Sequence, residues 1–162
     1  MSKKEIVVLV CLLVVVAAAA VFVGLKLTNQ PKKAPAQALP LTELAAKAIP
    51  DAKELLAYTA DDLLDLLGIK PDSYSDFVFL TSADGLAKRE VIAVRAADKA
   101  KLEEIEQKLN AYLTQRKDET QNYLPDVYQL LTKTKVQTAG NTAVLVIGEN
   151  AQEEAKALLA GE

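Results

Sequence analysis

At 162 residues the chain has room for one folded domain, and its composition excludes several functions at once. It has no histidine, no tryptophan and a single cysteine, so Ser-His-Asp and Cys-His catalysis are closed to it and zinc loses its preferred ligands. Residues 1–33 carry five lysines and one glutamate, whereas residues 34–162 carry fourteen basic and twenty-one acidic side chains. A domain so acidic, without a basic stripe, is repelled by phosphate polymers, so no nucleic acid is expected as a partner.

After MSKKE comes IVVLVCLLVVVAAAAVFVGL, residues 6–25, twenty positions without a charge. As a helix this run is about 30 Å long, the thickness of a bilayer's hydrocarbon core. The rival reading is a cleaved signal peptide with Ala18–Ala20 as the cleavage site. Val21, Phe22 and Val23 carry the apolar run past that site, and Lys26 then stands as an interfacial anchor. We therefore expect residues 1–27 to form an uncleaved membrane anchor, with the membrane contacted through residues 6–25. Lysines flank both ends, but short basic N-termini stay inside and long domains translocate whatever their charge. The expected topology is a single-pass protein of the cell membrane, N-terminus inside and C-terminal domain extracytoplasmic. Cys11 lies within the apolar run, which leaves the domain without a disulfide, and Val10 just before it is no lipidation signal.

TNQPKKAPAQALP, residues 28–40, is a linker whose three prolines favour extended, semi-stiff chain. The domain, residues 41–162, opens with helices. LTELAAKAI offers Thr42 as N-cap and Leu44, Ala45, Ala48 and Ile49 as an apolar stripe. PDAKELLAY reads as a further short turn, and TADDLLDLLG as a helix with a Thr59–Asp62 capping box and Gly68 as a left-handed cap. DFVFLT and EVIAVR, residues 76–81 and 90–95, are β-branched or aromatic runs that predict two strands.

The long helix follows, with Leu102, Ile105, Leu109 and Leu113 as its seam and Glu104 pairing Lys108 on the wet side. Pro125 and Asp126 suit the first turn of a shorter helix over PDVYQLL. VQTA and TAVLVI flank Gly140-Asn141, a hairpin turn, and Asn150 with Glu153 caps a closing helix. The fold class is thus α+β, in the order α-α-β-β-α-α-β-β-α, with a four-stranded antiparallel sheet packed against helices.

Chemistry is sparse. Ser73, Ser75 and Ser82 stand among lysines, so a Ser–Lys pair is conceivable, yet no nucleophile-elbow glycines surround them. Asp61, Asp62 and Asp65 crowd one helical turn, where rigid geometry splays them away from any shared calcium. We read them as a solvated face, and likewise Glu103, Glu104, Glu106, Glu153 and Glu154. No metal and no cofactor is called for. Three of the five tyrosines lie between residues 112 and 128. Tyr123, before Leu124-Pro125, reads as a wedge whose ring packs where the long helix ends and whose hydroxyl caps backbone. The rival is a ligand-gripping role, so Tyr74, Tyr123 and Tyr128 are the candidate ligand or partner contacts.

LLGIKPDSYSDFVFL, EVIAVRAADKAKLEEIEQKL and NYLPDVYQLLTKTKVQTAGNTAVLVIGEN, in that order, resemble the bacterial family called domain of unknown function 4358. The resemblance covers roughly residues 55–159. Gly68, Tyr74, Glu90, Tyr123, Pro125 and Gly140 fall at the pattern's recognisable positions, whereas Thr142-Ala143 replaces a region where an aromatic is common. The resemblance implies small envelope lipoproteins or singly anchored membrane proteins, and it implies no activity. The expected function is a membrane-anchored, non-catalytic binding or protein-interaction module at the bacterial envelope, with an envelope protein as partner. The alternative is a small envelope hydrolase using carboxylates or a Ser–Lys pair.

Overall fold

The computed structural model of the chain describes residues 38–161. The anchor expected over residues 6–25 and linker residues 28–37 lie outside the described residues. Among the described residues no helix is long and apolar enough to cross a membrane.

Strands β2 (Tyr74–Thr81), β3 (Glu90–Ala96) and β5 (Thr142–Ile147) form the middle of an antiparallel sheet, with β1 (Leu56–Ala57) and β4 (Gln137–Ala139) at its edges. The order is β1-β2-β3-β5-β4. The sheet therefore has five strands, not the expected four. The additional strand is the end of PDAKELLAY, which turns once as a 3₁₀ helix at Ala52–Glu54 and then lies along β2, with Leu56 opposite Thr81. Two residues are too few to show an alternating pattern, and both are exposed.

Side chains along the central strands alternate between two cores, as a period of two requires. Phe79, Ile92, Val94, Ala143, Leu145 and Ile147 face one side. There they meet helices α2 (Ala60–Leu67), α3 (Lys99–Thr120) and α4 (Pro125–Lys133). Val78, Leu80, Val91, Ala93, Val144 and Val146 face the other side, where α1 (Leu41–Ala48) and α5 (Ala151–Leu159) cover them. A sheet apolar on both faces needs both covered, and the chain spends its two terminal helices on the second one.

Local signals account for most boundaries. The hydroxyl oxygen of Thr59 accepts from the Asp62 N–H at 3.3 Å, while Asp62 Oδ2 accepts from the Thr59 N–H at 2.7 Å. Gly68 ends α2 at φ +66. Asp98 caps α3 by accepting from the Lys101 N–H, and Lys108 meets Glu104 at 2.7 Å. Ile105, Leu109 and Leu113 form the buried seam, with Leu102 half-buried beside it. Gly140 takes φ +57 at the first position of the two-residue turn between β4 and β5.

Two expected caps differ. Thr42 does not cap α1, which starts two residues earlier than that cap would set, at Leu41 behind Pro40. Its first N–H donates instead to Asp76 Oδ2 on β2, at 2.7 Å. Arg95 on β3 holds the same carboxylate at 3.1 Å and donates to the Leu39 carbonyl at 2.9 Å. The cap is tertiary and spans 35 residues, beyond the reach of a local reading. At α5 Asn150 occupies the N-cap position, but its side chain makes no capping bond.

Candidate functional site: the Arg89–Glu90 step

Where β3 begins, two adjacent charged residues stand against a strand that is apolar on both faces. Alternation sends their side chains to opposite sides of the sheet, so each charge is delivered into one of the two helical layers.

Arg89 enters the α1–α5 layer. Its Nη1 and Nη2 donate to the two oxygens of Glu154 on α5, at 2.6 and 2.9 Å. Nη2 and Nε also donate to Asp51 in the turn after α1, at 2.7 and 3.0 Å. The planar fork of an arginine suits such two-point contacts. Glu154, read from the sequence as part of a solvated acidic face, is instead only 8% exposed, whereas Glu153 is exposed as expected. Burial pulls the Arg89 pKa down, but the hydrogen bonds to Asp51 and Glu154 outweigh it and hold the guanidinium above its ordinary value. In return the Arg89 hydrogen bonds hold the Asp51 carboxyl below its usual range. Gly148 makes room for this clamp, because a Cβ there would sit 2.6 Å from Arg89 Nη1.

Glu90 enters the α2–α3–α4 layer and is 2% exposed. The Tyr112 hydroxyl of α3 donates to its Oε1 at 2.8 Å, while Oε2 has no hydrogen-bond partner. Burial raises the Glu90 carboxyl above its ordinary value, against the opposing charge of Arg116 and the Tyr112 hydrogen bond. Burial, followed by the neighbouring Glu90 charge, pushes the Tyr112 phenol up as well.

Two grooves stand out among the described residues. The larger, about 530 Å³, is lined by Leu130, Lys133 and Thr134 near the end of α4 and by the 148–153 segment with Lys156. Its ionisable side chains, Lys133, Glu149, Glu153 and Lys156, are all exposed. The smaller, about 320 Å³, is walled by Pro50, Asp51, Arg89, Glu149, Asn150 and Glu154. Its buried charges are already tied to one another. Glu90 lines neither groove.

The structure does not gather the three candidate tyrosines around a common groove, since none of them lines either one. Tyr74 packs edge-on against Phe77, ring centroids 5.2 Å apart, and burial with the Asp61 charge raises its phenol. Tyr128 is half-buried on α4. Tyr123 corrects the sequence reading: it is 84% exposed, so its ring packs under nothing. The inward place at that corner belongs to its neighbour Leu124, which packs on the core.

The serines also have other engagements. Ser73, Ser75 and Ser82 donate to Asp72, to the Arg95 carbonyl and to Asp84 respectively. Among the described residues no group of three or more His, Cys, Asp or Glu side chains is placed to hold a metal ion.

Sequence reasoning named Glu90 only as a pattern residue, placed Glu154 on a solvated face, and missed Arg89, Asp51, Tyr112 and Arg116. One signal was present. A charged pair abutting an apolar run that is buried on both faces must send a charge into each core, and each then requires a partner.

An antiparallel sheet with helices on both faces and opposed charges buried at one strand's start defines a small α+β domain. The family model for domain of unknown function 4358 matches residues 48–148, more than half of the chain, and the chain belongs to that family. The match includes Gly68, Tyr74, Glu90, Tyr123, Pro125 and Gly140, while α5 falls beyond it. No curated protein and no solved structure matches the chain.

Proposed function

We propose that the protein is a single-pass membrane protein of the bacterial cell envelope, anchored through residues 6–25. Its C-terminal domain lies outside the cytoplasm and works as a non-catalytic binding or protein-interaction module. The observation that carries this reading is where the charges sit. Among the described residues, the ionisable groups in the two grooves are either exposed or neutralised by one another, so neither groove presents a buried, uncommitted acid or base. Proton transfer in catalysis needs such a group within reach of substrate.

An interaction surface asks for less. Tyr123 offers an exposed aromatic ring at the α3–α4 corner, and such rings are favoured anchors in protein interfaces. Tyr128, half-buried on α4, and Tyr74 at the start of β2 are the accompanying contact candidates. The acidic balance of residues 34–162 favours a partner with a cationic face and disfavours nucleic acid.

The rival, a carboxylate hydrolase, draws on Glu90, whose raised carboxyl is what a general acid requires. Neither of the two grooves described reaches that carboxyl.

The test places a photoreactive phenylalanine analogue at position 123, 128 or 74, with exposed Gln107 as control, in the native membrane. A discrete adduct from a tyrosine position and none from position 107 supports the reading. Indistinguishable adducts from all four positions refute it.

A further inference from the structure

The connection between β2 and β3, residues 82–89, is anchored at its far end by the Arg89 ion pairs and held at Leu86 and Ala87 by α3. Arg116 Nη2 donates to the carbonyls of Leu86 and Ala87, both at 3.3 Å. Ala87 sits at φ +46, a left-handed conformation that a residue with a Cβ adopts only at a cost. Two long hydrogen bonds, one of them to a strained residue, make a weak hold.

Beside that hold, two buried polar atoms lack hydrogen-bond partners: Glu90 Oε2, an acceptor when ionised, and Arg116 Nε, a donor. The two side chains interact electrostatically. Each therefore lacks the kind of bond the other could make. A half-satisfied buried pair is costly, and bringing these two atoms together would relieve both deficits at once.

We propose that Glu90, Tyr112 and Arg116 form a proton-operated latch on the 82–89 connection. With the Glu90 carboxyl protonated, Arg116 grips the Leu86 and Ala87 carbonyls. When that proton passes to solvent, the guanidinium turns its Nε–H onto Glu90 Oε2 and lets the Leu86–Ala87 stretch go, while Arg89 stays anchored. This goes beyond the proposed function, because it concerns a conformational control rather than a contact surface.

The groups facing Glu90 fit a switch with one titrating member. From α3 come the Tyr112 hydroxyl and the Arg116 charge. Tyr58, after β1, acts on Tyr112. In the sheet Glu90 is flanked by Thr81 of β2 and Ile147 of β5, neither of them charged. Because burial raises the Glu90 carboxyl above its ordinary 4.5, the latched state binds a proton that a hydrated carboxyl would already have lost. The latched state is therefore fully favoured below that ordinary value and loses ground as pH climbs through the raised one. The released state gains in step, since there the carboxylate is paired.

Amide hydrogen exchange of the full-length chain in detergent micelles tests this, read on the peptide spanning residues 82–89 with rates corrected for intrinsic pH dependence. The wild-type peptide is expected to exchange on the order of tenfold faster at about pH 8 than at about pH 5. Glu90→Gln, which mimics the protonated carboxyl, is expected to stay slow at both. Tyr112→Phe, which removes a bond favouring the charged form, is expected to move the transition to higher pH. Equal pH dependence in the wild type and Glu90→Gln overturns the latch. Should Glu90→Gln fail to fold, the wild type still decides, through the carbon-13 titration of the Glu90 carboxyl. Its midpoint must coincide with that of the exchange transition, and separate midpoints overturn the proposal.

Discussion

Arg89 is the residue whose loss is expected to cost most outside the apolar core. Removing it leaves Glu154 buried opposite nothing, and breaking a buried ion pair by deleting one partner costs about 3–5 kcal/mol. Asp51 contributes less, because its side chain is 38% exposed and water can replace the arginine. Gly148 belongs to the same unit. Gly148→Ala places a Cβ against Arg89 Nη1, and since that guanidinium is fixed by two carboxylates it cannot swing aside without losing them. Gly148→Ala is expected to destabilise by about 1–3 kcal/mol in the wild type. In an Arg89→Ala background the clash is gone and only the strain of a Cβ at φ +158 remains, so its cost is expected to shrink without vanishing. Urea unfolding of the four chains checks this, and additive effects contradict the clamp.

At the scale of elements, β5 runs between two cores with all six residues buried. Its first residue, Thr142, buries a hydroxyl with no hydrogen-bond partner. Thr142→Val keeps the shape and the β-branch and removes that unpaired group, so it is expected to stabilise the domain by about 1 kcal/mol. A raised urea midpoint with an unchanged slope checks this, and a lowered midpoint shows that the hydroxyl is satisfied. The central elements were legible in the sequence because their signals are local. β2, β3 and β5 announce themselves by β-branched runs, α2 by the Thr59–Asp62 box, and the β4–β5 turn by Gly140-Asn141. What escaped is non-local. The cap of α1 arrives from Asp76, the edge strand β1 exists only because β2 lies beside it, and Glu154 is buried only because Arg89 reaches it. Tyr123 escaped for another reason: at a corner one neighbour turns inward and the next outward, and Leu124 took the inward place.

Over the whole molecule, an uncharged run at residues 6–25 precedes an acidic body whose terminal helices close the second face of its sheet. Arg95 and Asp76 grip the chain at Leu39 and Leu41, where α1 begins. Two adjacent strands thus fix the start of the domain's first helix. The proposed tether is tested most directly by fractionation and protease accessibility. Membranes washed with alkaline carbonate are expected to retain the full-length chain, as the apolar run predicts. Protease added to intact cells stripped of their wall is expected to remove the domain and leave a membrane-held N-terminal fragment. A full-length chain released into the wash, or a domain that the intact membrane protects, would contradict it.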